Sequence, residues 1–161
     1  MFETECTVNK FLLGYCRMMI AEIPEERMTE QPLPGVNHPA WILGHLAYSG
    51  DVAVGRLGGQ KALAEEWTKQ FGPSSKVSAV RADYPSKDEL IRILEARFDQ
   101  ARQLAGVATA EQMANPNPNP RMKAGLPTMR DAIAFLLTGH LGVHLGQLSA
   151  WRRMIGMSPL F

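Results

Sequence analysis

Three of the four histidines stand where folding could gather their imidazoles. His140 and His144 are four residues apart in Gly-His-Leu-Gly-Val-His, a spacing that stacks both rings on one helical face, and His45 occurs in a similar Gly-His-Leu context far upstream. On the closing segment the stripe through Ile133, Leu136 or Leu137, His140, His144, Gln147 and Trp151 interrupts an apolar face with polar groups. Upstream, Trp41, His45, Tyr48 and Val52 form the corresponding stripe, so a third imidazole can point at the first two from a facing helix. Three neutral imidazoles with open positions suit a divalent ion, with Zn or Ni favoured and Mn or Fe(II) compatible. With no carboxylate among the ligands the ion would keep nearly its full charge and favour hydroxide or thiolate in its open positions.

The alternatives are concrete. A histidine on an apolar face is commonly a core residue bonded to a neighbour, so a structural role is the competing reading for each ring taken alone. His140 is followed by Leu141 rather than Glu, and no histidine has a Glu three residues before it. The metalloprotease and ferritin-like di-iron patterns are thereby excluded. Trp41, Tyr48 and Gln147 lie beside the histidine face as possible pocket residues. His38, before Pro39, reads as a surface residue at a helix start that could approach the same mouth. Gly139, Gly142 and Gly146 form a small-residue row roughly opposite the imidazoles, where a neighbouring backbone could approach closely.

The elements that must position these groups read as helices. Val8, Leu12, Tyr15, Cys16, Met19 and Ile23 recur at helical spacing from Phe2 until Pro24 stops the first helix. Asn37 is the expected cap of a second helix, with Pro39 in its first turn, running to about Gly58-Gly59. Residues 59–85 show no sustained period and suggest a long crossover with a short helical turn near Trp67. Ser86 and Glu89 form a capping-box pair for a third helix through Leu90, Ile93, Leu94, Arg97, Phe98, Ala101 and Leu104. Thr109 and Gln112 suit one further short turn, and three Asn-Pro pairs across 115–120 require an extended loop. Thr128 with Asp131 opens a fourth helix expected to run unbroken to Gly156. The fold class expected is all-α, a four-helix bundle with a long crossover between its second and third helices.

The 161 residues, 45% hydrophobic and 20% charged, suit one domain spanning 1–161. A net charge of +1 with no basic run beyond Arg152-Arg153 gives nucleic-acid binding little support. Ala132 to Trp151 lacks any Asp, Glu, Lys or Arg, but two histidines, Gln147, Thr138 and Ser149 argue for a buried helix over a membrane span. Cys6 and Cys16, about 15 Å apart along one helix, are too far apart to bridge. They are expected to be buried and reduced, and with an acidic first stretch that lacks an export signal they point to the cytoplasm.

The stretches Asn37-His-Pro-Ala-Trp-Ile-Leu-Gly-His45-Leu and Gly139-His-Leu-Gly-Val-His144-Leu-Gly-Gln147-Leu, followed by Trp151-Arg-Arg and Gly156, resemble the DinB-like superfamily of metal-dependent hydrolase-like proteins. The resemblance covers nearly the whole chain. It implies an up-down-down-up four-helix bundle, often a homodimer, with a metal held by the equivalents of His45, His140 and His144. It also implies hydrolysis or transfer involving a low-molecular-weight thiol, with a small-molecule substrate and no DNA chemistry. A non-catalytic module that holds a metal or small ligand, and a structural homodimer, are the other expectations.

Overall fold

The structure, a computed structural model, describes residues 1–160. Helix α1 spans Glu3–Ala21, α2 Pro39–Arg56, α3 Glu65–Phe71, α4 Lys87–Val107, α5 Ala110–Ala114, α6 Met129–Leu137 and α7 Gly139–Met154, with one-turn 3₁₀ segments at Glu25–Arg27 and Arg81–Asp83. No β-strand occurs among the described residues; Pro116 and Thr128 make one isolated antiparallel bridge.

Helix α2 is the hub. Its starting cap is His38, not Asn37: the His38 ring Nδ1 accepts the Trp41 backbone N–H at 3.1 Å, and Pro39 fills the first helical position. Nearly every residue from Pro39 to Val54 is buried, so the helix is covered all round rather than along one stripe. Helix α4 is its most extensive neighbour, and α3, α6 and α7 cover the rest. The helix ends because Gly58, at φ +86°, takes a left-handed turn that lets the Gly58 and Gly59 N–H groups close onto the Gly55 and Val54 carbonyls.

The fourth expected helix is two helices. Thr138 breaks the chain at φ −129°, ψ −73°, and its hydroxyl donates to the Ala134 carbonyl at 2.7 Å, a back-bond that bends helices. The buried Asn9 side-chain amide donates to the Leu137 carbonyl at 2.7 Å, the group an unbroken helix offers to residue 141. Asn9 also corrects the face of α1: Val8 is exposed while Asn9, Leu13, Cys16, Met19 and Ile20 are buried. Cys16 is buried as expected, Cys6 only partly so.

The other caps follow the side chains. Thr128 and Asp131 make the full reciprocal box, whereas Ser86 supplies only half of one, because the Glu89 carboxylate turns to Arg92. Thr109 caps α5 through the Gln112 N–H. The core joins Ile42, Leu43 and Leu46 of α2 to Leu90 and Phe98 of α4, Ile133 and Leu137 of α6, and Leu141, Leu148 and Trp151 of α7. Among the described residues, no helix is long and apolar enough to cross a membrane.

Candidate metal centre

His45 comes from the middle of α2, and His140 and His144 from the first two turns of α7, immediately after the Thr138 break. One ring nitrogen of each lies within 4.8 Å of the others. The His45 and His140 Nε2 atoms are 3.3 Å apart. Two nitrogens about 2.0–2.1 Å from one tetrahedral ion lie roughly 3.3–3.4 Å from each other, so this pair is already spaced as one edge of such a site.

Hydrogen bonding selects the tautomers of two rings. His45 Nδ1 lies 2.6 Å from the Phe71 carbonyl, which can only accept, so Nδ1 carries the proton and Nε2 presents a lone pair. His144 Nδ1 donates in the same way to Gln147 Oε1 at 3.0 Å, and Asn37 Nδ2 donates to that oxygen at 3.4 Å. Outer partners of this kind hold a metal-binding imidazole in its ligating tautomer. His140 differs: its Nδ1 is buried with no hydrogen-bond partner among the described residues.

Burial and mutual repulsion keep the cluster neutral. Desolvation, then the nearby His144 and His45, push His140 down to about 3. Desolvation, then His45, push His144 to about 4, against a small opposing effect of Gln147. Desolvation also lowers His45, partly offset by its bond to Phe71. His45 and His144 each hold a proton on Nδ1 and so present an Nε2 lone pair, and His140 Nε2 lies 3.3 Å from that of His45, a neutral nitrogen donor set that fits a divalent ion.

The supporting shell comes from the segment with the least pattern. Helix α3 docks onto α2 where Gly44 has no side chain: a Cβ there would lie 2.0 Å from the Phe71 ring. The close approach brings the Phe71 carbonyl to His45, and Trp67 Nε1 donates to the Gly44 carbonyl at 3.0 Å. Trp41 stacks on His45 with ring centroids 4.7 Å apart and planes 8° apart, while its Nε1 donates to Ser75 Oγ at 2.9 Å.

Beside the cluster lies a cavity of about 300 Å³ whose lining includes His45, Tyr48, Val52, Arg56, Arg121 and His140. Tyr48 is thus the one expected pocket residue that lines it. Trp41 and Gln147 instead brace His45 and His144. His38 is fully buried, not a surface residue; its Nδ1 serves the helix cap and its Nε2–H donates to the Ser78 carbonyl at 2.8 Å, so neither nitrogen is available to a ligand. Gly142 and Gly146 face open space rather than a neighbouring helix, and only Gly139 is close-packed, against Phe135. Sequence reasoning missed the Phe71 carbonyl, which has no side-chain signature, and Arg56 and Arg121, which look like ordinary surface charges.

No curated protein matches the sequence. The fold is similar to the crystal structure of a conserved protein from Enterococcus faecalis, with a TM-score of 0.73 over 96% of each chain at 15% identity. That likeness concerns the fold alone. The sequence pattern of the DinB superfamily matches residues 15–148, most of the chain, and the protein belongs to that superfamily.

Proposed function

We propose that the protein is a metalloprotein in which His45, His140 and His144 hold a divalent cation, Zn or Ni in preference to Mn or Fe, for hydrolysis or thiol transfer on a small molecule. The observation that carries this reading is the convergence of three neutral imidazole nitrogens within 4.8 Å, two of them with their tautomer held by an outer acceptor. When bound, such an ion lowers the pKa of coordinated water or thiol and so supplies a nucleophile at neutral pH. The chain's own contribution is to orient the rings through Phe71, Gln147 and Trp41 and to provide an adjoining, largely apolar cavity from which bulk water is partly excluded.

The wider reading is a single domain over 1–161, an up-down-down-up four-helix bundle of α1, α2, α4 and the bent α6–α7 pair, with a cytoplasmic location and a homodimeric state. Exposed Val8, Phe11 and Met18, which share one stripe of α1, supply an apolar face for the second copy.

Metal content measured by mass spectrometry on tag-free protein tests the central claim. Near-stoichiometric metal is expected in the wild type, with most of it lost in His45→Ala, His140→Ala and His144→Ala. Full occupancy in the His144→Ala variant would refute the ligand assignment. Protein that contains no metal and takes up neither Zn nor Ni would refute the metalloprotein reading.

A further inference from the structure

The cavity beside the histidines has an asymmetry of charge. Its lining contains two guanidinium-bearing residues, Arg56 and Arg121, together with Tyr48, Ser49 and Asn119, and no acidic residue. Most other cationic side chains that touch buried surface in this protein have an assigned partner: Arg97 meets Asp51, Arg102 meets Asn9 and Asp99, and Arg152 meets the Met19 carbonyl and Glu22. Arg56 has none. It is half-buried in the last turn of α2, and no described residue gives it a hydrogen bond or an ion pair. Burial lowers its pKa, with Tyr48 acting in the opposite direction, as expected of a cation moved out of water without a carboxylate beside it. Arg121, an exposed residue, enters from a different element, the loop after the Asn-Pro repeats; Asn119 Oδ1 accepts its backbone N–H at 3.1 Å, and no described residue gives its guanidinium a hydrogen bond or an ion pair.

A half-buried guanidinium without a counter-charge is unfavourable in the protein alone, and it becomes favourable when an anion arrives. The remaining lining is apolar: Val52, Pro73, Met122, Ala132, Phe135 and Leu136. His45 and His140 belong to the same cavity, so a molecule held there also reaches the metal-binding face. The volume, about 300 Å³, is at the small end of ligand pockets.

We infer that Arg56 and Arg121 form an anion subsite, and that the ligand of this protein is a small amphipathic carboxylate whose anionic end meets the two arginines while its apolar body lies along Val52, Phe135 and Leu136. The inference deepens the proposed function by naming a substrate class, and it rests on that reading only for what happens at the histidines. The charged end is recognised by a planar two-nitrogen fork, which suits a carboxylate. The apolar walls set the body, and their modest extent restricts it to one ring or a short chain.

Calorimetric titration of 3-phenylpropionate and its neutral amide into wild-type protein, Arg56→Gln and Arg121→Gln tests this, each with bound metal quantified and again after chelation. Removal of a charge-assisted contact should weaken carboxylate binding roughly tenfold or more in Arg56→Gln, with the amide unaffected and metal content unchanged. Arg121→Gln should act in the same direction, so the test survives if either variant folds poorly. Equal affinity for acid and amide, or carboxylate binding unchanged in both variants, would overturn the proposal. If the protein proves metal-free yet retains carboxylate binding that depends on Arg56, the subsite stands while the metal reading fails. Binding lost on chelation but unchanged in the arginine variants would assign the anion to the metal instead.

Discussion

At the scale of single residues, the three imidazoles are unequal. His45 and His144 each have an outer acceptor, whereas His140 Nδ1 is buried without one. Loss of the Gln147 carbonyl should therefore be felt through His144: Gln147→Leu is expected to weaken metal affinity roughly 10- to 100-fold in chelator competition, with the fold intact. The pKa directions also set a pH dependence. In metal-free protein His140 is held near 3 and His144 near 4, while an unfolded histidine titrates near its ordinary 6.5. Below pH 6.5 the unfolded chain then binds protons that the native state refuses, so stability is level above that pH and falls as pH drops toward 4. Denaturant unfolding between pH 6.5 and 5, before the carboxylates titrate, should show a shallower slope for His140→Leu than for the wild type. Metal, competing with protons for neutral imidazoles, is expected to be retained to lower pH than free imidazole would allow.

At the scale of elements, two glycines on the two histidine-bearing helices make opposite predictions. Gly44 on α2 is occupied space: a Cβ would collide with the Phe71 ring at 2.0 Å. Gly44→Ala should destabilise the fold by about 1–3 kcal/mol through overpacking and also weaken metal binding, because Phe71 carries the acceptor for His45. Gly142 on α7 faces open space, so Gly142→Ala should stabilise the monomeric fold by about 0.5–1 kcal/mol through helix propensity. Urea unfolding of both variants reads the difference. Destabilisation by Gly142→Ala would instead show that this row packs against a second copy. The break at Thr138 belongs to the same scale. It places His140 and His144 at the start of a new helix, and Asn9 and the Thr138 hydroxyl take up the backbone groups at the join.

At the scale of the whole molecule, the crossover after α2 is tied down by one buried carboxylate. Asp51 accepts the Ala62 and Leu63 N–H groups at 2.9 and 3.4 Å and faces Arg97 of α4 at 3.4 Å. It joins α2, α4 and the loop that leads to α3, so it governs how the wall bearing Phe71 is presented to His45. Asp51→Ala leaves Arg97 and two amides without their acceptor. It should lower unfolding free energy by about 3 kcal/mol in denaturant titration, far beyond the effect of removing an exposed pair such as Lys69–Glu65.

The His140–His144 pair, the helical class, the Asn-Pro loop, the Thr128–Asp131 box and the stop at Gly156 were all legible in residue order, because each depends on spacing within a few turns or on the local chemistry of a cap. The division of the last helix at Thr138, the burial of Asn9 in place of Val8, and the fate of His38 as a buried cap were not, since each is decided by a partner distant in sequence or by a local competition between side chain and backbone. The same holds for the site. Its ligand candidates are periodic and so visible, but the Phe71 carbonyl beside His45 is a backbone group with no sequence signature. The cavity charge from Arg56 and Arg121 exists only once α2 and the loop after the Asn-Pro repeats meet. Spacing along the chain determines which side chains share a face; long-range packing determines what that face meets and which of its groups are left without a partner.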